Sequence, residues 1–194
     1  MKGAGVNVLD LALIVGALGV AAMTFTQAPI TTAADVLACY AATVLAGVLY
    51  ERIAALPPFR VLPFPDQAGL RLGVFTVLLI GGALLLRRLA RRATGLFSVA
   101  RRASTPVIGS ALAAVLSVLL ALTVALVAVL AVAAVAQIPS NAGLPSLLRI
   151  QAASSFVLPH LAVPLDIYLR FVALWFGGTT PPVYANVATV LHPL

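Results

Sequence analysis

Charge is scarce in this chain. Lys and Arg number 12 and Asp and Glu 5, so charged residues are 9% of 194, against about a quarter in a typical soluble domain. A soluble fold of this length would lack the polar surface to cover itself, which excludes the ordinary water-soluble globular classes. Cysteine is scarcer still. Cys39 stands alone, so no intramolecular disulfide can form, and its apolar surroundings mark it as a small buried hydrophobe. His160 and His192 lie far apart and, with one cysteine, give no metal-ligand spacing. No P-loop, dinucleotide-binding fingerprint or zinc helix occurs, so the sequence calls for no metal and no cofactor. Lys2 is the sole lysine, and the net charge of +7 is carried by arginine. No aromatic–basic platform accompanies that charge, which argues against nucleic acid. The basic residues flank apolar segments, so anionic lipid headgroups are the simpler partner.

What the chain has instead is apolar length. Apolar residues make up 62% of it, and the mean hydropathy is +1.14. Pro106 to Ala136 runs without a charge, broken only by Ser110, Ser117 and Thr123. As a helix it would be about 45 Å long, beyond a hydrocarbon core of about 30 Å, so it must tilt, kink or project. Immediately before it stand Arg87, Arg88, Arg91, Arg92, Arg101 and Arg102.

The pattern predicts an all-α polytopic membrane protein with four spans, at about 8–25, 33–56, 70–86 and 106–136. Asn7 can cap the first span, with Asp10 in its first turn. A signal peptide is the competing reading there, but the basic start is thin and Asp10 interrupts the apolar core. Thr31 or Thr32 can cap the second span, with Asp35 near its start, and Pro57 and Pro58 stop it. Residues 57–68 form a proline-rich loop. At 100° per residue the six arginines of 87–102 share about half a helical wheel, opposite Leu86, Leu89, Ala93, Leu96 and Phe97, which predicts a helix lying in the membrane surface with its arginines on headgroups. Ser104, Thr105 and Pro106 start the fourth span. Residues 144–161 and 163–176 are expected as further helices on the membrane or against the bundle. Asp166 and Arg170 form an i,i+4 pair, and Tyr168 and Trp175 suit a headgroup boundary. The tail 177–194 is expected to be loosely ordered. The arginine density places the 87–102 connection in the cytoplasm, and four spans then put both termini and the 57–68 loop outside.

Few residues carry chemistry. Asp10 could handle a proton or cation, since carboxylates inside membranes are functional by default, but near an interface it reads first as a helix cap. Asp35 reads the same way, and antiparallel neighbours would hold the two carboxylates apart. Ser154 and Ser155 could suggest a nucleophile near His160, but no G-x-S-x-G elbow surrounds them, and a structural role is the expectation.

Three stretches give the chain a resemblance. NVLDLALIVGALG opens with an Asn and an Asp three apart, Asn7 and Asp10. RRATGLFSVARRASTPVIGSALAAVLSVLLAL joins a basic connection to a helix containing Gly109. IQAASSFVLPHL follows the last span and places Ser154 or Ser155 and Pro159 before further apolar residues. In their order and spacing these resemble the colicin V production protein (CvpA) family of small bacterial inner-membrane proteins, over residues 6–162. The end of the first span departs from that pattern: AAMTFTQAPI lacks the family's glycine and basic residues. The resemblance implies a non-enzymatic role in colicin V production or export, or in envelope upkeep, through a membrane-protein partner or a homo-oligomer. It implies no catalytic residues. It makes Asn7, Asp10, Gly109 and Ser155 the positions of interest. The alternative is a small transporter or channel subunit. The facing of Asp10, Ser117 and Thr123 separates the two: a water-filled path favours transport, packed helices favour a scaffold.

Overall fold

The computed structural model describes residues 7–60, 67–97, 106–139 and 143–185. These are helical, with no strand among the described residues. The order is α1 (Val8–Phe25), α2 (Pro29–Ala54), α3 (Pro57–Arg60), α4 (Gln67–Phe97), α5 (Pro106–Ala136), α6 (Leu144–Ala153) and α7 (Val157–Ala173), the last extended by a 3-10 turn, Leu174–Phe176. A short helical turn follows at 182–185. The fold is thus all-α and polytopic. By length and composition five helices can cross a membrane: α1, α2, α4, α5, and α7 with its 3-10 turn.

Two boundaries depart from expectation. α2 begins at Pro29, with Ala28 at its cap. Proline is preorganised for the first helical position, so Thr31 and Thr32 lie inside the helix and cap nothing. The expected span 70–86 and surface helix 87–102 are, over the described residues, one unbroken helix from Gln67 to Phe97. No proline or cap separates them, and at 1.5 Å per residue the helix is about 46 Å long. The arginines therefore continue on the axis of the third span instead of starting a separate helix. Arg101, Arg102, Ser104 and Thr105 lie outside the described residues, as do 186–194 of the tail.

α2 packs most extensively on α4, α1 packs on α5, and α5 also touches α2 and α4. α2 and α4 run antiparallel: Tyr50 meets Phe75 edge to face, Ala42 faces Gly82, and Asp35 faces Arg87. Phe75, Leu79, Leu120, Leu130 and Val129 form the centre of the core. Small side chains let the backbones approach closely: Ala42 meets Gly82 at the contact between α2 and α4, and Ala38 and Ala46 of α2 are buried as well.

The C-terminal third does not divide at residue 162 as expected. The break falls at Ser154–Phe156, and α7 continues through Pro159 and Pro164. α7 does not run end to end along the bundle. Its start is tied to Asp10, at the beginning of α1. Its far end brings Phe176 against Gly47, within about two turns of the end of α2. Because a three-residue connection returns α2 from the end of α1, and Thr24 and Asp35 both lie at the arginine-bearing end, both anchors lie in the same half of the bundle. Asp166 and Arg170 pair at 2.9 Å on the exposed face of α7. Gly177 and Gly178, at φ +67° and +85°, reverse the chain after Phe176. This left-handed backbone suits residues without a β-carbon.

The reversal delivers Tyr184 into the core. Its ring is fully buried against Phe75, and its hydroxyl donates to the Thr43 carbonyl at 2.5 Å. Burial pushes the Tyr184 phenol well above its ordinary range, so it stays a donor. The close fit depends on Gly47. A β-carbon there would lie 2.7 Å from Tyr184 Oη and 2.9 Å from its Cε2. Gly47→Ala is therefore expected to displace Tyr184 and cost about 1–3 kcal/mol, the usual range for an overpacked core. Gly82→Ala, whose β-carbon would meet Ala42 at an ordinary 3.6 Å, should be near neutral. Unfolding of both variants in detergent micelles checks this pair.

Candidate functional site

Two polar clusters hold the bundle, and they sit at opposite ends of it. The first joins the beginning of α1 to the corner between α6 and α7. Asn7 has extended backbone and caps α1, its Oδ1 accepting from the Leu9 N–H at 2.9 Å. This leaves its amide free to reach across the chain. Nδ2 donates to the Gln151 carbonyl at 2.6 Å and to Ser154 Oγ at 3.2 Å.

One turn further on, Asp10 takes over the N-terminus of α7. That helix has no side-chain cap from Phe156 at its own N-cap position. Instead Asp10 Oδ2 accepts from the Phe156 N–H at 2.8 Å and Oδ1 from the Val157 N–H at 3.3 Å. Ser155 donates its hydroxyl to Asp10 Oδ1, while Ser155 Oγ accepts from the Leu158 N–H at 3.0 Å. A half-buried carboxylate in the first turn of α1 thus takes up N–H groups at the start of α7, where the positive end of that helix's dipole also favours it. Asp10 acts as a cap, but for a helix almost 150 residues away; α1, in whose first turn it stands, is capped by Asn7.

The geometry also bears on the serines. Ser155 donates to a carboxylate, and Ser154 bonds back to the Ile150 carbonyl at 3.1 Å. His160 stacks edge-on against Phe156 at 4.8 Å. No serine–histidine bond occurs among the described residues, so His160 is not paired with either serine. Gly109 lies in the first turn of α5, half-buried and away from this corner. Asn7, Asp10, Ser154 and Ser155 are therefore brought together, and Gly109 is not among them.

The second cluster corrects the expectation for Asp35. Six residues into α2, it is too deep to cap that helix and is fully buried. Arg91 clamps it through Nε and Nη2 at 3.0 and 2.7 Å, and Arg87 adds Nη2 at 3.2 Å. Arg87 and Arg91 are four residues apart on α4, so one helix face presents both guanidinium groups. Two of the six expected headgroup arginines thus serve first to neutralise a buried carboxylate. Arg88 and Arg92 are exposed. The signal for this pair was present in the sequence: a carboxylate inside an apolar helix requires a partner, and the arginines at i and i+4 can supply it.

A third group, unseen in the sequence, binds α7 across the middle of α2. Tyr168 Oη and Thr43 Oγ1 lie 2.7 Å apart, and Thr43 itself donates to the Cys39 carbonyl at 3.1 Å. Tyr40 donates to the Phe171 carbonyl at 2.7 Å, and Trp175 Nε1 donates to Tyr40 Oη at 2.9 Å. Ser117 and Thr123 are buried and bond to carbonyls of their own helix, at Ala113 and Leu119. Neither faces a water-filled path.

Comparison with protein-family models, curated proteins and solved structures gave no match.

The corner should respond as a cap would. Asp10→Ala is expected to destabilise the protein by about 1–2 kcal/mol, and Ser155→Ala by about 1 kcal/mol. Asp10→Asn should lose less than Asp10→Ala, since an amide oxygen still accepts from one N–H. Denaturant unfolding in micelles measures the series. Equal stability of Asp10→Ala and the parent would show that α7 is held without its cap.

Proposed function

We propose that this chain is a CvpA-type multi-pass protein of the bacterial inner membrane, acting non-enzymatically through a membrane-protein partner or self-association, in colicin V production or export or in envelope homeostasis. One observation carries the reading. The two stretches that resemble the family at the start and the end of the chain, Asn7–Asp10 and Ser154–Ser155, meet in a single hydrogen-bonded corner. Residues that matter only in combination are expected to be adjacent in the fold, and these are.

The polar inventory supports a scaffold over a transport path. Asp10 and Asp35 are both engaged by donors of the same chain, and Ser117 and Thr123 are turned onto their own helices. We place the arginine-bearing end of α4 in the cytoplasm by the excess of positive charge, which puts the Asn7–Ser155 corner on the opposite face. There α6 presents Leu144, Leu147 and Ile150 as exposed apolar side chains beside that corner, a surface suited to another membrane helix or a second copy.

Crosslinking in native membranes followed by pull-down tests the proposal. A specific partner or a self-complex is expected, and Asp10→Ala, which frees the corner, should deplete it while the protein still inserts. Recovery of neither species from membranes holding the intact protein would contradict the scaffold reading.

A further inference from the structure

At the arginine-bearing end, α1 and α4 leave a groove between them. Its polar part, about 350 Å³, is bordered by Thr24 of α1, by Gln27 of the connection that follows it, and by Arg87, Arg88 and Arg91 of α4. Next to it an apolar cavity of about 370 Å³ lies between α4 and α5, walled by Ile80, Ala83, Val124, Ala128 and Val132. Leu84 and Arg87 line both cavities, so the two adjoin.

Charge does not balance at the polar part. Three guanidinium groups border it, and the one carboxylate nearby, Asp35, pairs with Arg87 and Arg91, which leaves two positive charges. Arg88 has no hydrogen-bond or ion-pair partner among the described residues, and the Arg87 Nε donor is buried without one. Guanidinium groups grouped in this way match a phosphate, whose oxygens accept bidentate, charge-assisted hydrogen bonds. A cavity with apolar walls opening from that point has no use for a free inorganic anion. It suits an anion that carries a hydrocarbon chain.

We propose that this groove binds one anionic phospholipid, its phosphate on Arg88 with Arg87 and Arg91, and an acyl chain along Leu84 into the cleft between α4 and α5. This is a defined binding site, distinct from diffuse attraction of basic residues to a membrane surface. The inference rests on membrane placement alone and is independent of the CvpA-type reading, so either can fail without the other.

Native mass spectrometry of the full chain, purified in a neutral detergent and titrated with lipid, tests it. Phosphatidylglycerol is expected to bind as a single adduct. Phosphatidylcholine, whose phosphate carries a choline cation that the surplus guanidinium charge repels, is expected to bind about tenfold more weakly. Arg88→Gln should weaken phosphatidylglycerol about tenfold, the factor that one charged hydrogen bond represents. Arg92→Gln, outside the groove, should leave binding unchanged. Leu84→Trp should block the tail and abolish the adduct. Arg88 and Leu84 are exposed, so neither substitution disturbs the core. Equal binding of the two lipids, equal sensitivity to Arg88→Gln and Arg92→Gln, or indifference to Leu84→Trp would overturn the proposal. Displacement of the lipid by millimolar inorganic phosphate would overturn it in favour of a free-anion site.

Discussion

Asp35 is buried among apolar side chains, and an ionised carboxylate in such a place is tolerated only when opposite charge and hydrogen bonds surround it. Arg87 and Arg91 supply both. The consequence spreads beyond the pair. Because the two arginines must reach α2 from successive turns of one helix, α4 has to remain helical well past the apolar stretch that ends near Leu86. The basic segment is thereby held on the axis of its span. Arg88 is presented beside α1, where it borders a groove with Arg87 and Arg91. A single buried charge fixes the register of α2 against α4 and sets the electrostatics of that end.

The opposite end solves the same problem differently. In an apolar medium every helix terminus must find partners for its free N–H groups. α7 starts without a cap of its own and borrows Asp10 from α1. Asn7 fixes the preceding turn through Gln151 and Ser154. The remainder of the C-terminal segment is then laid across α2 by hydroxyl contacts. Tyr40, Thr43, Tyr168 and Tyr184 each satisfy a polar atom that burial would otherwise strand. Gly47 makes room for the last of these. Polar residues are few in this chain, and Asp35 and Thr43 among the buried ones stand where helices are joined.

Much of the fold was legible in the sequence. Long apolar runs with few charges yield helices whose ends follow from Asn7, Pro57 and Pro106, and the observed bounds of α1 and α5 agree with the reading at 8–25 and 106–136. The corner residues Asn7, Asp10 and Ser155 were also singled out, although periodicity could not show that they touch, since contacts spanning about 145 residues leave no local pattern. Asp35 was misread because its distance from the helix start depends on whether the helix begins at Pro29 or later, and a shift of four residues turns a cap into a buried charge. The arginine helix was misread for a related reason. An amphipathic wheel describes a surface helix and an extended span equally well until the partner of one face is known. The path of α7, past two prolines and back through Gly177 and Gly178, rests on tertiary contacts with Thr43 and Gly47 that no local signal announces.

The central claim is that the Asp35–arginine cluster couples α2 to α4. A double-mutant cycle measures this directly, with Asp35→Asn as one step and Arg87→Gln with Arg91→Gln together as the other, read as unfolding free energy in mixed micelles. Contact through a buried ion cluster predicts strong non-additivity, with a coupling of at least about 1.5 kcal/mol and the triple variant more stable than the sum of the steps implies. Additivity within about 0.5 kcal/mol, the behaviour of distant and independent sites, would contradict the account.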